Sequence, residues 1–184
     1  MEHDWPKQHG APVAAGWSTV TTAVLVAIPV VFAMALKSAF LFVSIGPIIY
    51  EYVERPMARA SSPRSTILAN TFALVIGYAS LAVFRLLDHP SAIQEGVTFA
   101  RAGAVICAVG VTGGLLVLLR AVHPPAGSTL LLVTLGIMHR PLQLLCIFAT
   151  IVIVTAAAWA LNRLAGLEVP VWSSAQPSPY EAKS

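Results

Sequence analysis

A ten-residue run, Arg120-Ala121-Val122-His123-Pro124-Pro125-Ala126-Gly127-Ser128-Thr129, holds most of the side chains in this sequence that could do chemistry. It lies between two long apolar stretches. Two successive prolines cannot donate backbone hydrogen bonds, and each biases the residue before it towards extended geometry. Val122 and His123 are therefore expected to be extended, and Pro125 is suited to open a new helix running to about Met138. The start of such a helix leaves amide hydrogens without internal partners and carries about half a unit of positive charge. The amides of Gly127, Ser128 and Thr129 would then form an anion site beside Pro124 and Pro125. His123 could hydrogen-bond the anion or carry a proton; the alternative is that its ring caps carbonyls freed by the prolines. Ser128 and Thr129 have the competing option of bonding back to their own helix. Gly127 has that of allowing close backbone approach.

A second interruption, Ser44-Ile45-Gly46-Pro47, precedes Glu51. Gly46 and Pro47 are expected to supply the opposite wall of the site. An acid inside an apolar stretch is a functional candidate by default, so Glu51 is a candidate coupling or gating group; the alternative is a register that puts it near the membrane surface. Asn70 is expected to bond between helices first and to touch substrate second. Arg64 and Arg120 flank the two interruptions and would draw anions, although membrane orientation and snorkelling are competing reasons for such residues.

These residues sit in an apolar chain. Of 184 residues, 57% are hydrophobic and 10% charged, and mean hydropathy is +0.79. A soluble domain would carry about 25% charged residues. Apolar runs near the length of a membrane span recur, so the chain reads as one polytopic membrane domain embedded in a lipid bilayer. The formal net charge of +3 reflects orientation in the membrane and not nucleic-acid binding. Cys107 and Cys146 lie within apolar runs and read as packing residues. The sequence has no H-E-x-x-H, no phosphate-binding glycine loop and no nucleophile elbow, so no catalytic residue, metal site or cofactor is assigned and no enzyme is expected. His3 and His9 lie in a polar tail and make a poor metal site.

Residues 1–16 read as a disordered tail, 17–167 as the membrane domain and 168–184 as a second tail. Long spans are expected at Trp17–Leu36, kinked by Pro29, and at Thr66–Leu87, Val97–Leu119 and Leu142–Leu164. Ser38–Val53 and the His123 segment are shorter and broken. Ala69, Ala73 and Gly77 recur every fourth residue, and Gly103, Gly110 and Gly114 lie near one face; both sets read as helix-packing seams.

The expected fold is an all-α membrane helical bundle of two pseudo-repeated halves, each with two long helices and one short segment broken by Gly or Pro. Paired interruptions in corresponding places point to a transporter's binding site. If both short segments cross, Lys7, Arg55, Arg59, Arg64, Arg120, Arg163 and Lys183 share one side, against Lys37, Arg85, Arg101 and Arg140. That bias puts both termini in the cytoplasm of a plasma-membrane protein and inverts one half relative to the other. Re-entrant short segments would leave four spans and almost no bias. A bundle this small is expected to form a homo-oligomer.

The sequence resembles the HPP family of integral membrane proteins. The resemblance rests on His123-Pro124-Pro125-Ala126-Gly127-Ser128-Thr129, on Ser61-Ser62-Pro63-Arg64-Ser65-Thr66-Ile67-Leu68, and on Asn162-Arg163-Leu164-Ala165-Gly166-Leu167 with Pro170 and Trp172. Plant relatives are associated with nitrite transport at the chloroplast envelope, so the resemblance implies a transporter or channel for nitrite or a related small anion. Two places depart from the family pattern: Gly46-Pro47-Ile48-Ile49 where the family has Gly-Pro-Thr-Ala, and Ala69-Asn70 where it tends to have Gly-His. Glu51 beside an anion site requires either proton coupling or a different solute. The alternative function is a non-transporting structural or partner-binding membrane subunit, in which the two breaks pack dry.

Overall fold

The computed structural model describes residues 10–35, 37, 45–167 and 169–172. These residues form seven α-helices: α1 (Ala11–Ala35), α2 (Gly46–Glu54), α3 (Pro63–Val83), α4 (Ala92–Glu95), α5 (Phe99–Leu118), α6 (Ala126–Thr134) and α7 (Pro141–Leu164). A 3-10 turn, Arg59–Ser61, precedes α3. Proline occupies the first turn of α2, α3 and α7, where its missing N–H removes no helical bond. Ser62 Oγ accepts from Ser65 N at the start of α3, and Thr98 Oγ1 accepts from Arg101 N at the start of α5.

Four helices end in the same way. Leu86 N donates to Leu81 O, Ala121 N to Leu116 O, Ile137 N to Leu132 O and Leu167 N to Asn162 O, at 2.7–3.1 Å. Arg85, Arg120, Gly136 and Gly166 take the left-handed turn each bond requires, with φ of 56°, 51°, 72° and 81°. This motif pairs the last carbonyls of a helix without water. It also stops α3 and α6 short of the expected Leu87 and Met138.

The contacts at the two ends of the bundle define its direction. At one end, the Arg64 guanidinium donates to Leu119 O and Arg120 O, Arg64 N to Trp172 O, and Asn162 Nδ2 to Tyr52 O. At the other, Arg101 donates to Pro90 O and Thr134 O, and Ala92 N to Leu135 O. So α3 runs from the first end to the second, α5 returns, residues 121–136 run out again, and α7 returns. The nine residues of α6 account for about 13 Å. Before it, Ala121, Val122 and His123 lie outside any helix, and Pro124 and Pro125 form a turn, with Pro125 already at helical dihedrals. Among the described residues, four helices (α1, α3, α5, α7) are long and apolar enough to cross a membrane on their own.

Packing divides the buried residues into two groups. One joins α1, α2 and α7 through Leu25, Ile48, Ile49, Tyr52, Ile147, Ile151 and Val154, and extends to Leu74 and Leu81 of α3. The other joins α3, α5 and α6 through Ala69, Ala73, Ala108, Leu116, Ala126 and Leu130. The helix pairs in contact include α1 with α2 and α5 with α6, α1 with α7 and α3 with α5, and α2 with α7 and α3 with α6. Exchanging α1, α2, α3 for α5, α6, α7 turns each pair into its partner.

Several expectations change. Helix α1 begins at Ala11, so residues 11–16 are helical and not tail, and it continues through Pro29. The Ala69-Ala73-Gly77 seam is present: a Cβ on Gly77 would lie 3.0 Å from Val133 of α6. The other seam has no full counterpart among the described residues of the single chain. Gly103 packs under Phe84, but a side chain on Gly110 or Gly114 would meet nothing within 4 Å. Ser44 and the first part of the Ser38–Val53 segment, residues 1–9 of the first tail, and Glu168 and residues 173–184 of the second lie outside the described residues.

Candidate functional site between the two short helices

His123 is 1% exposed. Its Nδ1 lies 2.7 Å from Ala60 O in the turn before α3. A carbonyl oxygen only accepts, so Nδ1 carries the proton. Nε2 is buried with no hydrogen-bond partner among the described residues, a place where a second N–H and a full charge would be costly. The ring thus clamps a carbonyl, but the carbonyl belongs to Ala60 and not to the residues the prolines free.

The open amides expected at the start of α6 are not there. Ala126 N donates to His123 O, Gly127 N to Pro124 O and Ser128 N to Pro125 O, at 3.0–3.1 Å. The extended lead curls into a tight turn, and its own carbonyls close the first amides before any ligand could. Ser128 Oγ donates back to Pro125 O at 2.7 Å. Among the described residues, a side chain at Gly127 would meet nothing within 4 Å. Arg64 caps the C-terminal carbonyls of α5, where a cation suits the helix dipole, and Arg120 is exposed.

What the fold does bring together is a line of buried polar side chains. Thr129 Oγ1 of α6 donates to Asn70 Oδ1 of α3 at 2.7 Å. Asn70 Nδ2 donates to Thr66 O at 2.9 Å. Thr66 Oγ1 shares a 3.0 Å hydrogen bond with Tyr52 of α2, whose carbonyl accepts from Asn162 of α7. All five residues are at most 2% exposed. Both short helices are therefore tied to α3 by one side-chain bond each. Tyr52 and Thr66 were not singled out from the sequence. The signal was present: Ser62, Thr66 and Asn70 recur every fourth residue on the buried face of α3, as Ile48 and Tyr52 do on α2.

Beside this line, Pro47, Tyr50, Glu51 and Glu54 of α2 face Pro124, Pro125 and Ser128 across an open cleft of about 520 Å³. The two breaks do meet, as expected, but Glu51 and Glu54 make the cleft acidic. Gly46 lies at the start of α2 and does not line it. A second hollow, of about 830 Å³, opens at the other end of the bundle between the α3–α5 connection and the turn before α7. Among the described residues no three His, Cys, Asp or Glu side chains are grouped to hold a metal, and Cys107 and Cys146 are free.

No curated protein and no solved structure matches the chain significantly. One family model does, that of the HPP transmembrane region, and it covers residues 7–170. The match takes in all seven helices, both breaks and the buried polar line, and with most of its length inside that region the chain belongs to the HPP family of multi-pass membrane proteins.

Proposed function

We propose that this protein carries a small anion across the membrane between its two short helices, without covalent chemistry, and that nitrite is the first solute to test. The observation that carries the reading is the placement of hollows at both ends of the bundle, with the line Thr129, Asn70, Thr66 and Tyr52 buried within it. The exchange of helix contacts between α1–α3 and α5–α7 supports an inverted repeat, the architecture in which paired breaks frame a transported solute. Glu51 and Glu54 at the cleft oppose a bare anion, so a proton travels with it, and Glu51 is the group proposed to take that proton. The charge bias supports a plasma-membrane protein with both termini in the cytoplasm, and a homo-oligomer belongs to the proposal because the bundle is small.

Uptake of labelled nitrite into proteoliposomes tests this directly. Uptake above protein-free liposomes, rising as the outside is made acidic, is the expected result. Equal uptake with and without protein across pH 5 to 8 removes the nitrite reading.

A second reading, a structural or partner-binding subunit, is favoured by one observation: the amides of Ala126, Gly127 and Ser128 are already closed on their own carbonyls. It expects no solute flux under any gradient.

A further inference from the structure

The segment that follows α7 has no role in the reading built on the two breaks, yet it is pinned in place. Leu167 N returns to Asn162 O, and Leu167 and Val169 are buried. Trp159 Nε1 of α7 donates to Pro170 O at 3.1 Å. Arg64 N, in the first turn of α3, donates to Trp172 O at 3.0 Å. The segment is thus a strap from the end of α7 to the start of α3. It holds Val171 and Trp172 outward, 66% and 55% exposed. We propose that this end of the bundle docks the headgroups of acidic glycerophospholipids, with arginines from three helix ends on the phosphates and Trp172 at the boundary between headgroup and acyl chain.

Depth is the first argument. Helices α3, α5 and α7 have 21, 20 and 24 residues, about 30–36 Å each, so each spans an apolar core of about 30 Å. Arg64 in the first turn of α3, Arg120 just beyond α5 and Arg163 in the last turn of α7 therefore emerge at headgroup level. They emerge on the same side, because the Arg64 guanidinium donates to Leu119 O and Arg120 O and the strap ties α7 to the same helix start. Trp172 suits this depth, since an indole has an apolar body and one N–H for the wet side. At such a depth the bilayer itself supplies phosphates all round the rim, which a soluble partner does not.

Charge is the second argument. Among the described residues, α3, α5, α7 and the strap carry no Asp or Glu. The acids of this end, Glu51 and Glu54, lie on α2 at the cleft, with Arg55 next in the chain. Arg163 is exposed, and its guanidinium lies 5.4 Å from the centre of the Trp159 ring. Stacking of that kind uses the flat face of the group and leaves its N–H edge for a phosphate. The opposite end is built differently: Arg101 is fully buried beside Glu95, and Asp88 shares a wall with Arg140. A net positive rim with an exposed indole selects lipids of negative charge over zwitterionic ones. This preference stands whether or not a solute crosses the bundle.

Quenching of tryptophan fluorescence by brominated lipid tests it. The full chain carries Trp5→Phe and Trp17→Phe, so that only Trp159 and Trp172 report. It is placed in phosphatidylcholine vesicles in which either phosphatidylglycerol or an equal share of phosphatidylcholine bears the bromines. Brominated phosphatidylglycerol should reach half quenching at an about fivefold lower mole fraction, the equivalent of ~1 kcal/mol for an arginine near the surface, and added salt should erase the difference. Arg163→Gln and Arg120→Gln should each shrink the preference. Arg85→Gln should not, although Arg85 takes the same left-handed position after α3 that Arg120 takes after α5. Equal quenching by the two lipids overturns the proposal, and that comparison needs no arginine variant. A preference that survives both arginine changes overturns it too. Loss of the preference to inorganic phosphate, at an ionic strength where chloride leaves it intact, would give the site to a free ion and remove the lipid.

Discussion

At residue resolution the informative groups are those with no slack. Thr129 and Asn70 form a hydrogen bond in a site closed to water, and removing one partner leaves the other orphaned. Thr129→Val should lower stability by about 1 kcal/mol, since polar bonds between membrane helices average somewhat below that and rise when the partner has no substitute. Reversible unfolding in mixed micelles measures it. Adding Asn70→Leu should recover part of the loss, and strict additivity of the two changes would show that they do not interact. Gly136 allows a second comparison. It combines a left-handed φ of 72° with an Arg101 nitrogen 2.8 Å from where a Cβ would sit, whereas a Cβ on Gly166, at φ 81°, would meet nothing within 4 Å among the described residues. Gly166→Ala should cost only the backbone term, about 1 kcal/mol. Gly136→Ala should cost clearly more, because the guanidinium that pins Pro90 and Thr134 must also move. Equal losses would mean that the Arg101 clamp yields freely.

Among the elements, α3 is the one the others are hung on: α5, α6 and α7 all pack against it, and both short helices bond to it. It can serve α6 this way because Ala69, Ala73 and Gly77 remove side-chain bulk along the contact. Gly77→Leu should therefore wedge α6 away and cost roughly 1–3 kcal/mol. Gly110→Leu on α5, where nothing lies within 4 Å, should change the stability of the single chain by less than about 0.5 kcal/mol. The same unfolding assay compares the two, and a large loss in Gly110→Leu would place a neighbour on that face. The two glycine patterns look alike in the sequence. Spacing shows that small residues share a face, but whether another helix of the same chain lies against that face depends on contacts between residues far apart in sequence.

For the molecule as a whole, the testable claim is direction. Residues 121–136 leave the end where Arg64 meets Arg120 and arrive at the end where Arg101 meets Pro90. With Cys107 and Cys146 replaced by alanine, Arg120→Cys and Arg140→Cys should label with a membrane-impermeant maleimide from opposite sides. Labelling from the same side would restore a re-entrant segment and count against the proposed transport.

The membrane character, the four long helices and the break at His123-Pro124-Pro125 were all decided by local chemistry: apolar length, missing proline donors and the caps that neighbouring residues provide. The sequence alone also marked Asn70 as a group bonding between helices, because a polar side chain in an apolar run must be satisfied somewhere, and left Thr129 between an anion and its own helix. Which partners they found was decided only by tertiary structure. So were the closing of the α6 amides, the capture of the His123 ring by Ala60, and the tying of Trp172 to the start of α3. Each of these depends on groups from separate elements meeting in space, and on which of several competing hydrogen bonds survives once water is excluded.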